Sequence, residues 1–479
     1  MRARPLTMGE RPPRISFTRL PDWAPFDARM AALWRSARSS HISRDWLDLC
    51  NSRRMTGAHR ILRGLHAVLH STLLVACSSG PAATSNRSPD GGFRGVHGGP
   101  QDGGSTSVAP DAGDDASPRS QPSVIDGCPS PGSPTANVGV WEDISPPEFR
   151  TPSTMETLTV AVDPVHPNVV YATAGNVTNG GHQGTGVMKS VDCGKSWTKI
   201  STGRNASHFD GGDLWAIEID WSDPNVMYVT NGYGTEPSVY KSTNGGVDWD
   251  DVFAPDGEVA HTVGPPLFTQ DVAMDPADSR HLVVSFHENC TGSYAPSCLA
   301  ETKDAGATWR LFKAPTSGWQ ESANFTILAM MSFLLASPSG VFLTTDAGQS
   351  WTKVINDAAY GSYDHGAYLG PNGTLYIGAG SGVYASDPHA GTGPLGSTWG
   401  KLANSPHGNA VVSDGVDLFV GDGIYQGANV YRAPLSNPTT WTKMTFAGTR
   451  SATRFEYDPT RHVIYSANWG AGLWRLVTQ

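Results

Sequence analysis

Histidines and carboxylates gather in the longer polar stretches of this chain. His208 and Asp210 stand together in SHFDGGD, Tyr363, Asp364 and His365 are consecutive, and His407 follows in SPHG. An imidazole beside a carboxylate is suited to moving protons near neutral pH, so His208, Asp210, Asp364, His365 and His407 form the candidate catalytic set. Two or three of these histidines with an aspartate could instead hold a divalent metal, or abstract the proton next to a uronic-acid carboxylate. Asp213, Glu236, Glu288 and Glu321 lie in similar stretches and could serve as acid and base on a glycosidic bond. Arg450 and Arg454 could grip an acidic sugar with paired bonds, while Tyr233, Tyr363 and Trp469 offer flat faces to sugar rings. Each residue also has an ordinary alternative, because a loop Asp forms turns and a loop aromatic packs.

The elements that must position these residues repeat. The pattern S/T-x-D/N-x-G-x-x-W occurs at Ser190–Trp197, Ser242–Trp249, Thr302–Trp309 and Thr344–Trp351. Asp or Asn at its third position can accept bonds from turn amides, and its Gly supplies a positive φ. The Trp is expected to cover the hairpin from outside. The first three copies close units whose first strand ends in Asp-Pro, as in LTVAVDP, AIEIDWSDP and DVAMDP, and the fourth closes a weaker form of the unit, ILAMMSFLLAS. Three further units end near Trp399, Trp441 and GLWRLVTQ, and the last of them lacks a fourth strand. Val138–Ser145, VGVWEDIS, copies that missing strand. Four short strands recurring in this way predict an all-β fold, a single seven-bladed β-propeller closed by its N-terminal strand. Strand-one to strand-two turns and the Trp turns share one face. Strand-two to strand-three loops and the links between blades share the other, which carries His182, His208, His261, His287, His365 and His407. His166, His281 and His462 fall in the Asp-Pro turns and read as ordinary turn residues.

The repeated turn resembles the Asp-box, or bacterial neuraminidase repeat, of sialidases, xyloglucanases and sortilin-type propellers. The resemblance covers Val138 to the end. It implies a structural role without chemistry for Asp192, Trp197, Asn244, Trp249, Asp304, Trp309, Asp346 and Trp351. It does not carry a function. The Phe/Tyr-Arg-Ile-Pro arginine of sialidases has no proper counterpart, and Arg204, Arg450 and Arg454 do not align with the sialidase triad. Xyloglucanases of this type place one catalytic Asp on each of two propellers, and one propeller is read here. A third relative, the propeller of photosystem assembly factors, binds a protein. The expected function is a carbohydrate-active propeller, hydrolase or lyase, working on a glycan at the loop-rich face. The alternative is a non-catalytic propeller that binds a glycan or a protein.

Composition sets the surroundings. Residues 1–77 hold thirteen Arg, no Lys and five acids, leaving 21 basic and 39 acidic residues after Cys77, a surplus of 18 negative charges. That surface argues against nucleic acid. Residues 1–54 read as a mis-called start or disordered extension. Residues 55–77 read as a lipoprotein signal ending in LVAC, with Cys77 lipidated, so the protein is expected to be exported and to meet the membrane only through that anchor. Residues 78–137, rich in Gly, Pro, Ser and Asp, form a disordered tether. The propeller, 138–479, is expected to be a monomer. Cys290 and Cys298 are close enough in sequence for a small disulfide ring, and a Cys128–Cys193 bond would staple the ring's seam, although four reduced thiols are the alternative.

Overall fold

The computed structural model describes residues 128–129, 137–150, 155–177, 182–253, 257–263, 267–316, 324–359, 366–386, 393–422, 427, 429–446, 448, 450 and 452–479. The N-terminal extension, the export segment with Cys77 and most of the tether lie outside them. So do Tyr363, Asp364 and His365.

Among the described residues the strands form seven four-stranded antiparallel sheets. Six of them run consecutively in sequence. Blade 1 is Glu156–Val162, Val170–Gly175, Met188–Ser190 and Thr198–Lys199. The seventh takes Ala452–Asp458, Val463–Asn468 and Gly472–Val477 from the C-terminus and Trp141–Asp143 from the N-terminal side. Trp141 pairs with Leu476 and Asp143 with Trp474. The ring therefore closes as expected. Strands in the middle of a blade are buried on both faces because each blade is covered by a neighbour on either side, as the fully buried run of Val170–Gly175, the second strand of blade 1, illustrates. Apolar clusters fill the junctions between blades. One of these joins Val160, Val170 and Met188 of blade 1 to Val463, Tyr465 and Leu473 of blade 7.

Among the described residues this junction joins segments far apart in the chain, and it is reinforced. Cys128 and Cys193 form a disulfide with 5.2 Å between their Cα atoms. Arg475 ion-pairs with Glu142 of the closing strand at 2.8 Å and donates to the Cys193 carbonyl at 2.7 Å. A second disulfide joins Cys290 to Cys298. The first bond spans 65 residues and the second 8. By loop entropy they stabilise the fold by about 4 and about 2.5 kcal/mol. Denaturant titrations of the Cys128→Ala/Cys193→Ala and Cys290→Ala/Cys298→Ala variants are therefore expected to show the larger loss at the seam; the reverse order would contradict this account.

The repeated turn is built as its residue types require, with two differences. Asp192 accepts from the Ser196 amide at 2.8 Å and from its hydroxyl at 2.7 Å, while Ser190 Oγ accepts from the Gly194 amide at 2.7 Å. Asp304 with Thr308 and Asp346 with Ser350 repeat this, and Asn244 accepts from the Asp248 amide. The first difference is that two consecutive residues, Cys193 and Gly194, have positive φ. Glycine is needed at the second of them because a Cβ on Gly194 would lie 2.4 Å from Ile144 Cδ1 of the closing segment. The second concerns the Trp, which was expected outside. Trp249 is fully buried, and the indoles of Trp197 and Trp309 donate to the carbonyls of Ile144 and Val252, both on the preceding blade. Close approach at the glycine brings that blade's edge onto the ring, so the Trp acts as a wedge between blades.

His281 also departs from its reading as an ordinary turn residue. It lies in Asp278–Phe286, the second strand of blade 3, and is completely buried. Its Nδ1 lies 2.7 Å from Asp275 Oδ2 and its Nε2 3.0 Å from Glu301 Oε1, and Arg310 bonds the other oxygen of Glu301. Burial works against the charged ring, but the two carboxylates outweigh it and raise the His281 pKa.

Candidate functional site

The expected loop-face residues do not converge on one point among the described residues. His208, in the short helix Ala206–Asp210, lies 2.9 Å from the Tyr240 hydroxyl through Nδ1. Asp210 ion-pairs with Lys199. His407 donates to the Gly380 carbonyl and borders a separate cavity of about 330 Å3 with Asp422, Tyr431 and Trp441. Arg450 is half-buried, its carbonyl accepting from Asn468. Arg454 is a larger departure. It sits on the innermost strand of blade 7, buried, with Nε and Nη2 donating to Glu456 Oε1 at 3.0 and 2.7 Å. No group of three or more His, Cys, Asp or Glu among the described residues is placed to hold a metal.

Aromatic side chains close the loop-rich end of the channel. Trp469 is buried against Trp215 at 5.8 Å, and Trp215 meets Phe268 at 5.7 Å and Tyr233 at 6.1 Å. Leu158 joins the same cluster. Trp469 thus packs in this plug, where a sugar platform would have to be exposed. Only part of Tyr233 reaches the surface.

Beside the plug, the structure pairs two residues that sequence reasoning placed on this face but did not connect. His182 Nδ1 lies 2.9 Å from Asp213 Oδ2, with the carboxyl wholly buried and 34% of the imidazole exposed. Tyr233 stacks on the His182 ring at 5.3 Å. Glu156, on the innermost strand of blade 1, is buried nearby and accepts from the Val177 amide at 2.9 Å. Burial raises the Asp213 pKa; the bond from His182 works against that shift, and the charge of Glu156 adds to it. Gly175 leaves the space this carboxyl occupies, since a Cβ there would lie 2.1 Å from Asp213 Oδ1. His182 itself holds a left-handed φ of 40°, an uncommon conformation for a residue with a side chain and one found at functional sites. The available signal was the glycine-flanked histidine of GGHQG facing an Asp at the mouth of an apolar strand, GGDLWAIEI.

An ionised Asp213 can only accept, so it fixes the proton on His182 Nδ1 and leaves Nε2 as the basic nitrogen. The pair is thereby an oriented general base next to an aromatic face. At the opposite end of the channel lies a cavity of about 440 Å3, lined mainly by apolar residues together with Thr326, Glu218, Arg454 and Glu456. Glu218 and Glu456 were not among the sequence candidates.

No family model matches this chain. It is 27% identical over 246 residues to the xyloglucanase Xgh74A of Acetivibrio thermocellus, covering 50% of this chain and 24% of that protein. It is 25% identical over 251 residues to a xyloglucanase of Paenibacillus sp., covering 51% of this chain and 20% of that one. The chain thus spans about a quarter or less of these curated relatives. Among solved structures, a catalytically inactive virginiamycin B lyase from Staphylococcus aureus with quinupristin matches with a TM-score of 0.50 and 13% identity, over 71% of this chain and 99% of that one. What these comparisons support is a weak homology to glycoside hydrolases carried on a seven-bladed propeller.

Proposed function

We propose that this protein cleaves a glycan at the loop-rich end of its propeller, with His182 as the proton-transfer group. The observation that carries this reading is the partly exposed imidazole aligned by a wholly buried Asp213. The xyloglucanase relatives, aligned over half of the chain, support a carbohydrate as the substrate class. In a hydrolase His182 would deprotonate the attacking water, and in a lyase it would remove the proton beside a uronic-acid carboxylate. The test is to incubate the protein with neutral and acidic polysaccharides and to follow reducing ends together with the ultraviolet absorbance of unsaturated products. Reducing ends alone mean hydrolysis. Both signals mean elimination, and silence over a broad panel from folded protein would overturn the proposal.

A second reading, a non-catalytic binder of a glycan or protein, has its own support. Glu156 and Asp213, the carboxylates nearest the histidine, are buried and cannot themselves flank a bond in solvent. Binding to an immobilised polysaccharide without turnover would favour it.

We further infer that the chain works outside the cytoplasm, held by a lipid on Cys77. The two disulfides support an oxidising compartment. Among the described residues no helix is long and apolar enough to cross a membrane. Palmitate labelling in a bacterial host is expected to vanish in Cys77→Ala; label that persists would refute the anchor.

A further inference from the structure

The end of the channel away from His182 opens among the strand-one to strand-two turns. Its cavity of about 440 Å3 shares Leu369 and Glu456 with a second one of about 280 Å3, and together they draw on all seven blades. Val165, Trp221, Met330, Met331, Leu369 and Val416 are exposed apolar residues, and all six sit in or beside the first turns of their blades. Large apolar side chains left in water around one opening mark a place where a ligand is received.

Inside, the wall is apolar apart from Thr326, whose hydroxyl accepts from the Ala367 amide, and a charged group at one place. Arg454 and Glu456 come from the inner strand of blade 7 and Glu218 from that of blade 2. Asp271, on the inner strand of blade 3, stands close enough to act on both Glu218 and Arg454 and accepts from the Phe325 amide at 3.2 Å. Blade 1, between blades 7 and 2, presents only Ala161, Val162 and Pro164 to this cavity.

That wall discriminates among guests. An anion would have to take Arg454 from Glu456, which already receives two of its N–H groups, and then sit beside Glu218. A neutral apolar guest would match the walls but gain nothing from the charged group. An ammonium on an apolar stem matches both, since three carboxylates face one guanidinium. We propose that this cavity binds an organic cation, a primary ammonium carried on a short apolar stem, with Glu218 as its counter-ion.

The proposal has a proton signature. Burial, Asp271 and Glu456 hold the Glu218 carboxyl well above the ordinary carboxylate range, with Arg454 pulling the other way. A cation that pairs with Glu218 must displace its proton. Affinity should therefore rise with pH, approaching tenfold per unit while Glu218 remains protonated in the empty site.

Calorimetric titration of the full chain with hexylamine, hexanol and hexanoate, at about pH 6 and about pH 8, tests this. Hexylamine is expected to bind at least about tenfold tighter than the other two at the higher pH, and to gain over the lower pH. In Glu218→Gln that preference should disappear and the gain with pH should shrink to what Asp271 supplies, a carboxyl that burial pushes up to about 6, while hexanol binds as before, which shows the cavity intact. Nα-acetyl-lysine methylamide forms a further arm: binding equal to hexylamine would assign the ammonium to a partner protein's lysine, and weaker binding would assign it to a free amine. Equal affinity for hexanol and hexylamine, no binding of hexylamine, or an unaltered amine preference in Glu218→Gln would each overturn the proposal. None of these outcomes depends on cleavage of a glycan at the other end.

Discussion

Replacing His281 by leucine is expected to destabilise the propeller by about 3–5 kcal/mol, the cost of removing one partner from a buried ion pair. The imidazole is fully enclosed and bridges Asp275 and Glu301 through its two nitrogens. Leucine fills a similar volume but leaves Asp275 without this bond, and leaves Glu301 dependent on Arg310 and Lys303. Equilibrium unfolding in urea measures the loss. A leucine variant within about 1 kcal/mol of the parent would mean that the bridge contributes little net stability.

The same bridge predicts a pH window. His281 is raised from its ordinary 6.5, so its contribution is complete below that pH and drains away as pH climbs through the folded value. Burial would raise Glu301, but His281 and Arg310 outweigh it and lower its pKa from 4.5. The glutamate's contribution is thus complete above that pH and lost as pH falls through its folded value. The two overlap fully between about pH 4.5 and 6.5. The stability difference between parent and leucine variant should be greatest there and should shrink toward alkaline pH.

The propeller was readable in advance because its signals are local. Each Trp turn carries its hydroxyl, its Asp or Asn and its glycine within eight residues, and the missing fourth strand could be matched to VGVWEDIS by its Trp-led pattern. What escaped depends on neighbours from other blades. Glu218 and Arg454 meet only because the ring places blades 2 and 7 around one axis, and nothing between them in sequence announces it. His281 was misread because its second partner, Glu301, is on the next strand across the sheet. A usable trace existed. AIEIDW, TQDVAMD and ATRFEYD each break an otherwise apolar inner strand with a charge, and a buried charge requires partners. The opposite error came from exposure. Trp469 reads as a surface platform from its place in a loop, yet it is buried in one cluster with Leu158, Trp215 and Phe268. His182 and Asp213 both read onto the loop-rich face, but nothing in the sequence links them to Gly175, whose missing side chain leaves room for the Asp213 carboxyl.

If His182 transfers the proton, His182→Ala is expected to lower kcat/KM on the glycan identified by the polysaccharide screen by about 10²–10⁴-fold, the usual share of a positioned acid or base. Alanine removes the ring and leaves the plug of Trp215, Phe268 and Trp469 in place, but it takes a partner from the buried Asp213, so the unfolding midpoint is expected to fall and activity is compared well below it. Asp213→Asn is the sharper variant. Its amide can donate to Nδ1, which turns the basic nitrogen inward and directs an N–H toward substrate. The ring then stays stacked on Tyr233, and substrate binding should persist. A fall in kcat with KM nearly unchanged therefore distinguishes a base that is held in one tautomer from a residue that merely shapes the mouth, which would change KM first. Full activity in both variants, with the fold intact, would remove the histidine from the chemistry and leave the loop-rich end as a binding surface.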